Sequence, residues 1–396
     1  MTHGPAFAGI ARGIAACAMA LLAGACSRAP VATAPVPAVG PAGESVVALK
    51  DVFRNRFMIG AALNADQFFE RDARGAALVK AQFNTITPEN VLKWERVHPR
   101  PGVYAFDDPD RYVEFGTANG MFVVGHTLVW HNQTPRWVFQ DSGGKPVSRD
   151  TLLARMREHI FTVVGRYRGR VKGWDVVNEA LAEDGTLRRS PWLTIIGPDF
   201  VEKAFEFAHE ADPGAELYYN DYSVENAPKR NGAVALVRRL QARGIPVAAV
   251  GLQGHNKLDW PTPAQQDSTI TALAELGVKV AITELDVDVL PNPGNNRGAD
   301  ITFNAPLQEK LNPYRAGLPD SVQQRLARRY EELFRVYLRH QRTISRITFW
   351  GVADTDSWLN DWPVRGRTSY PLLFDRDGKP KPAFTAIVRL AQQQAL

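Results

Sequence analysis

Gly173-Trp174-Asp175-Val176-Val177-Asn178-Glu179 and Val278-Lys279-Val280-Ala281-Ile282-Thr283-Glu284-Leu285-Asp286 decide the fold of this chain. Each is a short apolar run, the pattern of a strand buried on both faces of a parallel sheet. Runs of the same kind recur at Phe57–Ala62, Asn84–Thr87, Met121–His126, Glu216–Asn220, Ala248–Gly254 and Ile347–Trp350. Between them lie helical patterns at Thr151–Tyr167, Pro198–Ala211, Lys229–Ala242, Pro263–Leu276 and Ser321–Arg339. Eight buried strands interleaved with amphipathic helices imply right-handed crossovers and parallel pairing. Count and length favour an α/β fold of the (β/α)8 TIM-barrel type, as a single catalytic domain over 45–396. No glycine-rich phosphate loop follows the first run, which weighs against a doubly wound nucleotide-binding sheet.

Both opening segments end in a carboxylate. A glutamate at the exit of a buried strand loses hydration and must be paired or used. Carboxylates meeting across one cleft are the machinery of glycoside hydrolysis, with one as acid/base and the other as nucleophile or base. The competing reading is two unrelated ion-paired glutamates, since structural ion pairs also perturb carboxylates.

The 396 residues are 45% hydrophobic and 22% charged, a composition ordinary for a globular protein. The net charge of +5 is spread thinly, and no Lys/Arg run reads as a nucleic-acid stripe. Residues 1–26 read as an export signal: Arg12 flanks an apolar core from Ile14 to Leu22 that is too short to span a bilayer. Leu22-Ala23-Gly24-Ala25-Cys26 resembles a lipoprotein-type cleavage site with Cys26 as the lipidated residue, although Ala23 stands where a large aliphatic is usual. Ordinary secretion is the alternative, and both readings export the protein. Membrane association is then expected only through the lipid, towards the periplasm or cell surface. Residues 27–44, rich in Ala and Pro, read as a tether. Cys17 and Cys26 are the only cysteines, so a thiol nucleophile and a zinc–thiolate site in the domain are both excluded.

In barrels the active face is built from the carboxyl ends of the strands. In chain order these ends carry Glu89-Asn90-Val91-Leu92-Lys93, His126-Thr127-Leu128-Val129-Trp130-His131-Asn132-Gln133, Asn178-Glu179, Asn220-Asp221-Tyr222, Gln253-Gly254-His255, Glu284-Leu285-Asp286 and Trp350 to Trp358. Amides, carboxylates and a lysine suit sugar hydroxyls, and indoles suit the C–H faces of a sugar ring. No serine sits in a nucleophile-elbow context. His126 and His131 are five apart in an extended run and face opposite sides, and no helical His-Glu-x-x-His pair exists, so no metal or other cofactor is expected. Glu284 and Asp286 share a side, and His255 between them would keep Glu284 ionised. That suits a nucleophile. Glu179, beside Asn178 and near aromatic groups, is the candidate for a raised pKa and an acid role. Trp94 and Trp137 read as packing tryptophans, and Asp175 as an ion-pair partner inside the barrel. The Pro- and Gly-rich stretch Leu290–Asp320 is expected on the catalytic face as a long loop.

These motifs together resemble the xylanases of glycoside hydrolase family ten, across roughly residues 50–390. They are Glu89-Asn90-x-x-Lys93-Trp94, Gly125 to His131, Trp174 to Glu179, Gln253-x-His255, Ile282 to Asp286, and Phe349-Trp350-Gly351 with Ser357-Trp358. The resemblance implies a retaining endo-β-1,4-xylanase acting on xylan or xylo-oligosaccharides. It implies Glu179 as acid/base, Glu284 as nucleophile, His255 and Asp286 as its supports, and Asn178 on the substrate's 2-hydroxyl. It further implies that Glu89, Asn90, Lys93, His126, Trp130 and Gln133 line the glycone side, with Trp350 and Trp358 over the sugar. Tyr222 and Gln253 would lie at or near the cleavage point. A barrel glycanase acting on mixed glucan or mannan, or an anchored sugar-binding protein without catalysis, are the alternatives.

Overall fold

β1 (Met58–Leu63), β2 (Thr85–Pro88), β3 (Phe122–Trp130), β4 (Gly173–Asn178), β5 (Glu216–Asp221) and β6 (Ala249–Leu252) follow one another around a parallel sheet. After the short β7 (His255–Lys257), β8 (Lys279–Asp288) and β9 (Ile344–Phe349) complete the ring. β6 pairs with β8 and β9 with β1, so eight strands close a barrel with no free edge. The structure is a computed structural model and describes residues 47–294 and 299–393. The signal, the tether, Cys17 and Cys26 lie outside the described residues.

The expectation of a (β/α)8 barrel holds, and β4 runs over the residues read as a strand. Every residue of β4 is buried, as befits a strand with barrel interior on one side and helices on the other. One close approach fixes a residue type: a Cβ on Gly125 would sit 2.1 Å from the indole of Trp174 on the neighbouring strand. Any side chain there would push Trp174 out of the barrel wall.

Several strands differ from the sequence reading. β3 and β8 run on to Trp130 and Asp288, because their backbones go on pairing, β3 with β4 and β8 with β7. The sixth run divides at Gln253-Gly254, where Gly254 takes φ +77°, a left-handed backbone that favours glycine. The chain then re-pairs with β8 in register, His255 opposite Asp286. This break carries His255 back over the barrel mouth.

The outer helices are amphipathic, and several carry side-chain N-caps. In the helix Asp320–Arg339, Val322, Leu326, Tyr330, Leu333, Phe334 and Tyr337 recur at helical spacing and are all buried. Each such side chain contributes roughly 1.5–3 kcal/mol on burial. Thr262 and Gln265 form a capping box on the helix Pro263–Ala274, with Pro263 in the first turn. Inside the barrel, Asp175 accepts from His126 Nδ1 at 2.9 Å and lies 3.9 Å from the buried Arg346 guanidinium, the ion-pair role expected of it. Trp94 is fully packed, as read, and Trp137 is half-buried.

Candidate active site

Strand ends β2, β3, β4, β8 and β9, with the β6–β7 break, converge on one cleft of about 220 Å³. Glu89, Asn90, Lys93, His126, Trp130, Gln133, Asn178, Glu179, Gln253, His255, Glu284, Trp350 and Trp358 line it, together with Ala299, Ile301 and Asp356. All the expected sugar-contacting residues but one are therefore brought together. Ala299 and Ile301 come from the Leu290–Asp320 stretch, which reaches the catalytic face as its position in the chain predicts.

Glu179 ends β4 in an unusual backbone state for a residue with a side chain, φ +57°. The turn is held from both sides. Its N–H donates to the Asn220 carbonyl at 2.9 Å, and its carbonyl accepts from Arg188 Nε at 3.1 Å. The carboxylate accepts from Trp130 Nε1 at 2.8 Å and from Gln253 Nε2 at 3.0 Å. Trp130 is itself fixed, since its carbonyl accepts from the Trp192 indole at 2.9 Å. Burial and the nearby Asp221 charge outweigh the Gln253 and Trp130 hydrogen bonds and raise Glu179 to about 7.

Glu284, from β8, is buried to the same extent, each glutamate being 5% exposed, yet its balance is opposite. One carboxylate oxygen accepts from Asn220 Nδ2 at 2.8 Å, and the other faces His255 Nε2 at 3.2 Å. Burial pushes its pKa up, but the His255 hydrogen bond, the charges of His126 and His255, and Asn220 hold it below the ordinary carboxylate value. His255 Nδ1 meets Asp286 Oδ2 at 3.0 Å, so the imidazole bridges the two β8 carboxylates. Burial alone would lower His255, but Asp286 and Glu284 together raise it to about 10. Trp358 Nε1 donates to the same Asp286 oxygen at 2.8 Å, and its ring lies 4.7 Å from His255. Trp362 stacks on the outer side of Trp358 at 4.4 Å.

At the other end, Lys93 Nζ donates to Gln133 Oε1 at 2.9 Å and Asn90 Oδ1 at 3.2 Å. Burial lowers Lys93, opposed by Glu284, Glu89 and Glu179. Burial and Asp356 raise Glu89 to about 7 against the pull of Lys93.

Tyr222 stands beside the Glu179 turn, joined to it through Arg188, whose Nε donates to the Glu179 carbonyl. It does not line the cleft; it is buried, its hydroxyl accepting from Arg188 at 2.7 Å and its ring 3.6 Å from the Lys229 ammonium. The sequence marks Asn220 only as a polar strand end. In the structure it ties the two glutamate strands, donating to Asn178 Oδ1 at 2.9 Å as well as to Glu284, while its own oxygen accepts from Thr283 at 2.6 Å. A polar side chain within a buried strand was the available signal. Asp356 lay within the quoted Trp350–Trp358 segment, but Arg188 belongs to a loop with no pattern to mark it.

Against known proteins, the family model for glycosyl hydrolase family 10 matches residues 48–390. The chain belongs to this family. It is 46% identical over 342 residues to endo-1,4-beta-xylanase A of Xylanibacter ruminicola, covering 86% of this chain and 93% of that relative. It is 44% identical to a beta-1,4-xylanase of Dictyoglomus thermophilum, covering 88% and 92%. Among solved structures, a GH10 endoxylanase retrieved from a sugarcane soil metagenome superposes with a TM-score of 0.84 at 44% identity, covering 86% and 99%. Glycosyl hydrolases of family 10 work with retention of configuration.

Proposed function

We propose that this family 10 enzyme is an endo-1,4-β-xylanase with Glu284 as nucleophile and Glu179 as acid/base. The observation that carries the assignment of roles is the contrast between two equally buried carboxylates, one raised to about 7 and the other lowered. In the first step a Glu284 oxygen bonds to the anomeric carbon while the C–O bond to the leaving sugar breaks, its oxygen taking the Glu179 proton. In the second, Glu179 takes a proton from water, whose oxygen bonds to the anomeric carbon and releases Glu284. Two inversions give net retention.

Asn178 accepts from Asn220 on its side-chain oxygen, and its N–H2, which donates at 3.4 Å to Glu179 Oε1, stands beside the acid as the donor for the sugar 2-hydroxyl. His255 and Asp286 keep Glu284 charged. Glu89, Asn90, Lys93, His126, Trp130 and Gln133 hold the glycone, Gln253 orients Glu179, and Trp350 and Trp358 cover the sugar. The bulk of the two indoles leaves little room for a hydroxymethyl group, which favours xylose over glucose. Release of reducing ends from xylan, mixed glucan and mannan tests substrate class, with release from xylan expected to dominate. Proton NMR of the first products from xylo-oligosaccharide should show the β-anomer before mutarotation; an initial α-anomer would remove the retaining assignment.

We also propose that residues 1–26 direct export, that Cys26 is lipidated, and that 27–44 tether the domain at 45–396. Fractionation tests this: a Cys26→Ala variant should move from the membrane to the soluble exported fraction. Equal distribution of both forms would favour plain secretion.

A further inference from the structure

Asp221 and Lys229 form an ion pair at 2.9 Å with both side chains 0% exposed, and neither lines the cleft. Asp221 closes β5, and Lys229 lies in the first turn of the helix Ala227–Ala242. We propose that this pair is a positioning device for the acid/base: Asp221 braces the Glu179 turn and faces it with a negative charge that favours the acid form, and Lys229 limits that charge. The inference rests on the role given to Glu179 above and adds what sets its working pH.

The bracing is visible in the hydrogen bonds. β4 and β5 pair with Asn178 opposite Asn220, so Glu179 and Asp221 leave neighbouring strands side by side. Leu181 N–H, two residues beyond Glu179, donates to Asp221 Oδ2 at 3.3 Å, and the Tyr219 hydroxyl donates to the same oxygen. Oδ1 takes the Lys229 ammonium and the Tyr222 N–H, the latter at 2.9 Å. The Asp221 carbonyl accepts from Gln253 N–H at 3.0 Å, and Gln253 in turn donates to the Glu179 carboxylate. Asp221 therefore holds both the chain leaving Glu179 and the amide that orients its carboxylate.

Charge completes the argument. Glu179 is faced by Asp221 from β5, Glu284 from β8, Lys93 from the segment after β2, Arg188 from the loop after β4, and the Tyr222 hydroxyl. The two anions favour its protonated form and the two cations oppose it; after burial, Asp221 has the largest effect. Lys229 is faced by Asp221, by the exposed Glu183 at 3.4 Å, by the buried Glu225, by His131 and by the Tyr222 ring. Apolar residues of the same shape would serve stability as well as a buried ion pair, so stability alone does not call for charges here. Removing the anion should let Glu179 lose its proton at lower pH. Removing the cation should make it keep the proton to higher pH.

The test is the alkaline limb of kcat/KM on a xylo-oligosaccharide, in wild type, Asp221→Asn, Lys229→Met and the double variant. In Asp221→Asn the limb should move down by about one unit, which is about a tenfold loss of activity at pH values above it. In Lys229→Met it should move up. Breaking one half of a buried pair is costly to folding, whereas replacing both halves by neutral residues of similar volume is tolerated, so the double variant decides where a single one does not fold. Its limb should move down, by less than in Asp221→Asn. A pair that serves structure alone would lower Tm without moving the limb. A limb left at its wild-type pH in the double variant, both single variants moving it the same way, or a double variant that does not fold would each overturn the proposal. The wild-type limb should also vanish in Glu179→Ala; a limb that persists there would overturn the acid/base reading, and the pair with it.

Discussion

Glu179 and Glu284 end neighbouring regions of one barrel mouth with the same small exposure, yet the protein treats them in opposite ways. Around the Glu179 carboxylate the partners are neutral donors, an indole and an amide, and the charge that acts on it most is the anion of Asp221. Around Glu284 stands an imidazole backed by a second carboxylate. Burial favours the protonated form in both places, so burial alone does not separate acid from nucleophile. The sign of the neighbouring charge does. Asn220 links the two halves through Asn178 and Glu284, so neither environment can shift far without the other.

The largest break in this contrast is Glu284→Ala. Loss of a nucleophile should cost about 10⁴-fold or more in kcat on xylan, measured by reducing-end release. Next comes Glu179→Ala. General acid catalysis contributes on the order of 10²–10⁴-fold, and that loss should be seen on xylan. An aryl xylobioside, whose leaving group needs little protonation, should be much less affected in its first step. Wild-type kcat/KM should fall as pH rises through about 7, and this limb should vanish in the variant.

A smaller effect is expected from His255→Gln. His255 lowers the pKa of Glu284, so its removal should raise that pKa and move the acid limb of kcat/KM to higher pH. Once that pKa stands above 5, activity at pH 5 should fall by about tenfold for each further unit of movement. An acid limb left in place would mean that His255 supports structure only. The smallest is Trp130→Phe. The indole hydrogen bond lowers the pKa of Glu179, so losing it should move the alkaline limb upward by about half a unit.

How much of this was legible in the sequence follows from which residues had to meet. β4 could be placed to the residue because a fully buried strand bounded by glycine and glutamate has few other readings. The His255 bridge followed from strand parity, since Glu284 and Asp286 must share a side and His255 precedes them by one crossover. The tie of Tyr222 to Glu179 through Arg188 depends on a left-handed turn at Glu179, which residue types do not announce. Asn220 and Arg188 act by joining segments distant in the chain, a relation that exists only after closure of the barrel.

Azide competes with water and bonds to the anomeric carbon, so the stereochemistry of its product reports which carboxylate has been lost. Without the nucleophile, azide attacks the substrate directly and leaves the α-azide. Without the acid/base, it attacks the glycosyl-enzyme and leaves the β-azide. The direct measurement is therefore NMR of the xylosyl azides formed by Glu284→Ala and Glu179→Ala on an activated aryl xylobioside. The account predicts the α-azide from Glu284→Ala and the β-azide from Glu179→Ala; the reverse assignment, or the same anomer from both, would contradict it.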